Sequence, residues 1–146
     1  MKVIHLGNNG VGAGITSGLR KLGHQSKVIV EKPHPFGFDE DVVIFPQNNQ
    51  RHFRTIKIIK TMISVCANVD IMHMHGLQNS IYLKAVKISR SKKVFHYHSD
   101  LVRYEPDLPE GQFHAKFVAI PTRLKVIENS VWIPLPVDTV NKKITE

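Results

Sequence analysis

The stretch KVIHLGNNGVGAGITSG, residues 2–18, decides the fold. Val3, Ile4 and Leu6 read as a short buried strand. The residues after it are rich in glycine: Gly7, Gly10, Gly12, Gly14 and Gly18. A helical pattern then runs from about Ile15 to Leu22 and stops at Gly23. A strand, a glycine loop and a helix, in that order, open an anion-binding site in α/β domains. Glycine lets the backbone come close to the anion, and the N–H groups of the helix start point at it.

Working outward, the chain repeats the strand-and-helix alternation. Lys27 to Val30 reads as a second strand ended by Glu31, and the loop from Pro33 through Phe36 and Phe38 breaks regular structure at its carboxyl end. Phe36 and Phe38 are either loop anchors or part of an acceptor or membrane contact. Asp41 to Phe45 is a third strand, ended by Pro46. Arg51 to about Ala67 is a helix whose apolar residues are Phe53, Ile56, Ile59, Ile63 and Ala67. Asp70 to His75 is a fourth strand, Gln78 to about Ser89 a helix, and Lys93 to His98 a fifth strand. A loop covers Val102 to Phe113, a sixth strand Ala115 to Ile120, a short segment Thr122 to Glu128, and a seventh strand Val131 to Ile133. Alternating strands and helices imply parallel pairing through right-handed crossovers. The expected fold is α/β: one doubly wound, mostly parallel sheet in the order 3-2-1-4-5-6-7, with helices on both faces. Its crevice should lie at the carboxyl edge of the first strand, beside the fourth.

At 146 residues the chain suits one core. Its 42% hydrophobic and 22% charged residues are those of a globular protein. The chain opens on a strand rather than a leader, and no apolar run approaches the ~20 residues of a membrane helix. The lone Cys66, among Ile63, Val65, Ala67 and Val69, reads as a buried thiol and excludes a disulfide framework. The expected compartment is the cytoplasm, with peripheral attachment to a membrane as an option. The formal net charge of +8 favours an anionic partner: nucleic acid, phospholipid or a phosphorylated substrate.

Three constellations carry chemistry. The glycines are near misses of a dinucleotide fingerprint: Gly12 and Gly14 are followed by Ser17 where a third glycine is wanted, and Gly10 and Gly12 by Ile15. Glu31 lies about where a ribose-binding carboxylate would. The glycines therefore fit an NAD(P)-dependent oxidoreductase or epimerase, a bare tight turn, or a sugar or phosphate of another ligand. The second constellation is two His-x-His pairs, His73 with His75 and His96 with His98, closing neighbouring strands. Within a pair the rings share a face. They read as zinc ligands, as hydrogen-bonded filling, or as active-site histidines, with His98 favoured by Ser99 and Asp100 beside it. Strand pairing alone does not focus four rings on one point, so no metal site is expected. The third is a basic stripe, Arg51, Arg54, Lys57 and Lys60, with Lys84, Lys87, Arg90, Lys92 and Lys93 beyond it. It is either a solvated exterior or an anionic membrane contact. Nucleic acid is disfavoured, because aromatics are not interleaved with the lysines.

In order along the chain these motifs resemble the N-terminal domain of retaining glycosyltransferases of the GT-B fold, family 4. The opening strand with Gly10, Gly12 and Gly14, then Leu19-Arg-Lys-Leu-Gly-His, resembles their start. Asp70-Ile-Met-His-Met-His-Gly resembles their "D-hydrophobic-hydrophobic-H-x-H" strand, and Phe95-His-Tyr-His-Ser-Asp the strand end with an active-site histidine. Ile133-Pro-Leu-Pro-Val-Asp-Thr resembles the exit segment, usually "I-P-N-G-V-D", with Leu135 and Pro136 as departures. The resemblance implies a Rossmann-like acceptor-side domain over residues 1–139 and the start of an interdomain linker over 140–146. It implies a nucleotide-sugar donor as substrate, no tightly bound cofactor, and an acceptor that is a sugar, a lipid-linked group or a protein. A donor-binding C-terminal domain would follow in cis or come from a partner chain, and this chain alone would transfer little; a short acceptor-binding protein is the other option. Catalytic roles fall to His98 and Asp100. Gly10, Gly12, Gly14, His75 and Arg103 are expected at donor or acceptor, and Arg51, Arg54, Lys57 and Lys60 at a membrane or other anion.

Overall fold

The computed structural model describes residues 1–7, 10–45, 54–76, 83, 86–98, 113–125 and 127–134. Seven strands form one sheet: β1 (Lys2–Leu6), β2 (Gln25–Val30), β3 (Val42–Val43), β4 (Ile71–His75), β5 (Lys92–Tyr97), β6 (Ala115–Val118) and β7 (Ser130–Trp132). Their order is β3-β2-β1-β4-β5-β6-β7, and all six pairings are parallel. This is the Rossmann-like arrangement expected from the alternation of elements, with no antiparallel strand in it. Two α-helices, α1 (Gly10–Lys21) and α2 (Arg54–Cys66), accompany a 3-10 turn at Pro121–Lys125. Leu83 and residues 86–88 are also helical.

The register assigns each side chain to a face. Val3 pairs with Ser26 and Ile71, His5 with Val28 and His73, and His75 with His96. Since alternate residues share a face, Ile4, Leu6, Ile29, Met72, Met74, Phe95, Tyr97 and Val118 point one way. They form the hydrophobic core with Ile58 and Met62 of α2 and with Val86. His5, His73, His75 and His96 point the other way, toward α1. Thr16 of α1 accepts a hydrogen bond from the Ser26 hydroxyl on that second face, at 3.2 Å.

Three expectations are corrected. The glycine segment is not a loop ahead of a helix: α1 begins at Gly10 and contains Gly10, Gly12, Gly14 and Gly18. The positive φ needed for the turn belongs to Gly7, at 150°. Two of the helical glycines lie against neighbouring side chains instead. A Cβ at Gly10 would overlap the Phe38 ring, and one at Gly12 would stand 3.4 Å from His5 Cβ. The far end of α1 closes as expected, with Gly23 at φ 80°. Its N–H donates to Arg20 O, and His24 N–H to Leu19 O, each at 3.0 Å, the Schellman arrangement of a helix end.

The second correction concerns α2. Ile56, Ile59 and Ile63 were expected inside, yet they are 52%, 43% and 64% exposed. Ile58 and Met62, four apart, are buried in their place, with Val65 and Cys66 packed at the margin. The helix carries two apolar stripes, and the sheet takes the one that contains methionine. The exposed stripe borders a groove of ≈ 570 Å³ lined by Ile59, Ile63, Cys66 and Ile88. Burial pushes the Cys66 thiol up to about 12, so it is not a nucleophile.

The third strand is shorter than expected. Asp41, expected as its first residue, precedes β3 and is used as a clamp: the carboxylate accepts the Val28 N–H at 2.7 Å and pairs with Arg20. Hydrogen bonds from Ile44 N–H to Val30 O and Phe45 N–H to Glu31 O carry the chain on alongside β2. Among the described residues no helix is long and apolar enough to cross a membrane.

Candidate functional site

The carboxyl ends of β1, β4 and β5 sit side by side at the middle of the sheet, where an α/β fold leaves room for a ligand. Each strand delivers histidine there. His5 is next to last in β1, His75 ends β4, and His98 follows the last residue of β5. Gly76, at φ 67°, turns the chain away immediately after His75, and its N–H is bound by His96 O at 3.0 Å.

These rings form one hydrogen-bonded chain. His5 Nδ1 stands 2.9 Å from His75 Nε2, and His75 Nδ1 stands 2.9 Å from His98 Nε2. His73 and His96 stack beside it, with ring centroids 5.6 Å apart and planes 9° off parallel. The layer runs unbroken: His73 lies 4.1 Å from His75, and His96 4.3 Å from His98. The first turn of α1 covers it, for a Cβ at Gly12 would be 3.7 Å from His75 Nε2. Gly12 and His98 therefore share one rim, with His75 between them.

Burial sets the charge state. It holds His5 and His98 down at about 4, and in His98 the neighbouring His96 adds to the effect. His73 is lowered to about 2, first by burial and then by His5, His96 and His98. His75 is lowered well below the ordinary range by burial, with the other four rings adding to it. His96 is held at about 4 by burial, with the Ile133 backbone acting in the opposite direction. At pH 7 all five rings are neutral, each with one N–H and one bare nitrogen.

A second cluster overlooks the same rim. His34, Phe36 and Phe38, in the loop after β2, have centroids 4.6 to 6.4 Å apart. Phe38 rests over Gly10, while Phe36 is 76% exposed. Of the two readings of this loop, Phe38 fits an anchor and Phe36 a contact surface. Glu31, at the carboxyl end of β2, is half-buried.

Of the residues expected at the site, Gly12, His75 and His98 come together here, Gly10 lies against Phe38, and Gly14 follows within α1. Asp100, Arg103 and Ser99 lie outside the described residues, as does Arg51; Arg54 opens α2, and its side chain is not described. The basic stripe is divided: Lys60 is exposed, but Lys57 is half-buried, with its ammonium 5.5 Å from the Phe45 ring centroid. His5 was passed over. Its signal was present, because a residue between Ile4 and Leu6 must face away from them, and β1 beside β4 sets it against His73. Among the described residues two sets of three rings could hold a metal ion, His5 with His73 and His75, and His75 with His96 and His98. Comparison with protein-family models, with curated proteins and with solved structures finds no match.

Proposed function

We propose that this chain is the acceptor-side domain of a glycosyltransferase of the GT-B type, moving a sugar from a nucleotide-activated donor to an acceptor hydroxyl. One observation carries the reading: the start of α1 and the His75–His98 pair stand together at the carboxyl rim of a wholly parallel sheet. A donor diphosphate at that rim would meet the free N–H groups of the helix start. His98, tied to His75 through Nε2, would hold a sugar or acceptor hydroxyl. A ring held down at about 4 is a poor base at pH 7, so orientation suits His98 better than proton abstraction. Phe36 offers an apolar face to the acceptor. The donor-binding domain would belong to the same chain or to a partner chain.

Saturation-transfer NMR with UDP-glucose and GDP-mannose tests this. The reading predicts transfer to the sugar protons of at least one donor, lost in His98→Ala. No transfer to either from the unaltered chain would contradict it. Saturable NAD(P)H fluorescence, abolished by Glu31→Ala, would favour an oxidoreductase or epimerase instead. Peripheral attachment to an anionic membrane belongs to the same proposal, supported by Lys60 beside the exposed Ile56, Ile59 and Ile63. Sedimentation with phosphatidylglycerol vesicles should fall in Lys60→Glu; binding equal to that of the unaltered chain would remove this part.

A further inference from the structure

The imidazole layer holds more nitrogen than its own hydrogen bonds can use. Among the described residues, His5 Nε2, His73 Nε2, both ring nitrogens of His96 and His98 Nδ1 are buried without a hydrogen-bond partner. The chain His5–His75–His98 cannot cure this by reversing direction. If His5 donates to His75 and His75 to His98, then His98 keeps an unmatched N–H and His5 a bare nitrogen. If the donors run the other way, the two ends exchange roles. Each unmatched buried group costs roughly 1–3 kcal/mol. Of these atoms, the two of His96 stand beside His75 and His98, where an ion could take a ring lone pair.

We infer that His75, His96 and His98 form a binding site for one divalent late transition ion, of which zinc is the representative. The strands build the set. His96 and His98 are two apart, so they share a face and form a two-pronged chelate with centroids 4.3 Å apart. His75 is the register partner of His96, which places a third ring from β4 beside them, 5.1 Å from His98 and 5.9 Å from His96. One nitrogen from each of the three lies within 4.8 Å of the others. A tetrahedral ion with bonds of ~2.1 Å would hold its nitrogens ~3.4 Å apart. The 2.9 Å between His75 Nδ1 and His98 Nε2 is thus a few tenths of an ångström short, a small ring movement.

The chemistry of the donors narrows the ion. Three neutral imidazoles and no thiolate suit zinc, copper or nickel and disfavour magnesium and calcium, which take oxygen. Three protein ligands leave the fourth position to water or to an oxygen of a bound molecule. The half-buried His98 gives the ion a way in from the rim. His5 then has a purpose. With His75 Nδ1 on the ion, the His75 Nε2–H donates to His5 Nδ1 at 2.9 Å, which fixes the ring and its tautomer. His5 is a positioning residue, and His75, His96 and His98 are the ligands. In the alternative set of His5, His73 and His75 all three rings are buried, and Gly12 packs against His5, with its Cβ position 3.4 Å from His5 Cβ.

The inference stands apart from the transferase reading, since its test uses the ion alone and no sugar. Zinc is titrated calorimetrically into the chelator-treated chain at pH 7.5, and cobalt(II) is followed by its visible absorption. The expected result is one ion per chain and the intense visible band of four-coordinate cobalt. Loss of a partner that merely orients a ligand costs roughly 10–100-fold in affinity, so His96→Gln and His98→Ala should each cost more than that. His114→Ala, at the exposed start of β6, should bind as tightly as the unaltered chain. Should His96→Gln fail to fold, as judged by circular dichroism, the rim variant His98→Ala decides. No binding, several weak ions, or equal binding by the unaltered chain and His98→Ala would each overturn the site.

Discussion

The two faces of this sheet come from the same strands and hold opposite chemistry. On the α2 side, alternate residues of β1, β4 and β5 are Ile4, Leu6, Met72, Met74, Phe95 and Tyr97, and they fill a core with Ile58 and Met62. On the α1 side, the residues between them are His5, His73, His75 and His96, equally buried but polar. One face contributes stability through apolar burial. Among the described residues the other keeps buried ring nitrogens unmatched, which is unfavourable for folding.

Acid should separate the faces most sharply. A histidine whose folded value is lowered binds fewer protons folded than unfolded between the two values. Stability therefore falls as pH drops from about 6.5 toward about 4, and several such rings act together. Denaturant unfolding of the metal-free chain across that window should show a steep loss, whereas a chain with His73→Leu should lose less. A flat profile would mean the rings are not buried. Next in size is the apolar face. Phe95→Ala should cost about 3–5 kcal/mol by loss of a fully buried ring, measured as a shift in urea midpoint. Third is the contact between α1 and the loop after β2. Gly10→Val drives a side chain into Phe38 and should cost about 1–3 kcal/mol, while Gly18→Ala, with open space around it, should be neutral or stabilising. The smallest effect belongs to the outer stripe of α2: Ile63→Ala should stay within about 0.5 kcal/mol, against about 2–5 for Met62→Ala one residue earlier. Equal losses at the two positions would reverse the assignment of the helix faces.

The order of the strands was legible because it rests on strong signals: short apolar runs ended by Gly76, Glu31 and Pro46, with helical spacing between them. The inward face of α2 was not. Ile56, Ile59 and Ile63 make as good a stripe as Ile58 and Met62, and spacing alone cannot say which one meets the sheet. The glycines misled in another way. A glycine-rich run reads as a turn, but only Gly7 needs a positive φ, while Gly10 is small so that Phe38 can come close. Such a requirement belongs to neighbours distant in sequence, so no local pattern reveals it. The His-x-His pairs were legible as pairs. Their joining through His5 was not, because one histidine in an apolar strand looks like an accident until the register sets it beside His73.

Four buried histidines and the half-buried His98 form one uncharged layer at the ligand-facing side of the sheet. Nitrogen-15 NMR of the imidazole rings in the metal-free chain at pH 6 tests it most directly. The account predicts that His5, His73, His75, His96 and His98 each show one protonated and one bare nitrogen. A charged imidazolium at His5, His73 or His75 at that pH would contradict it.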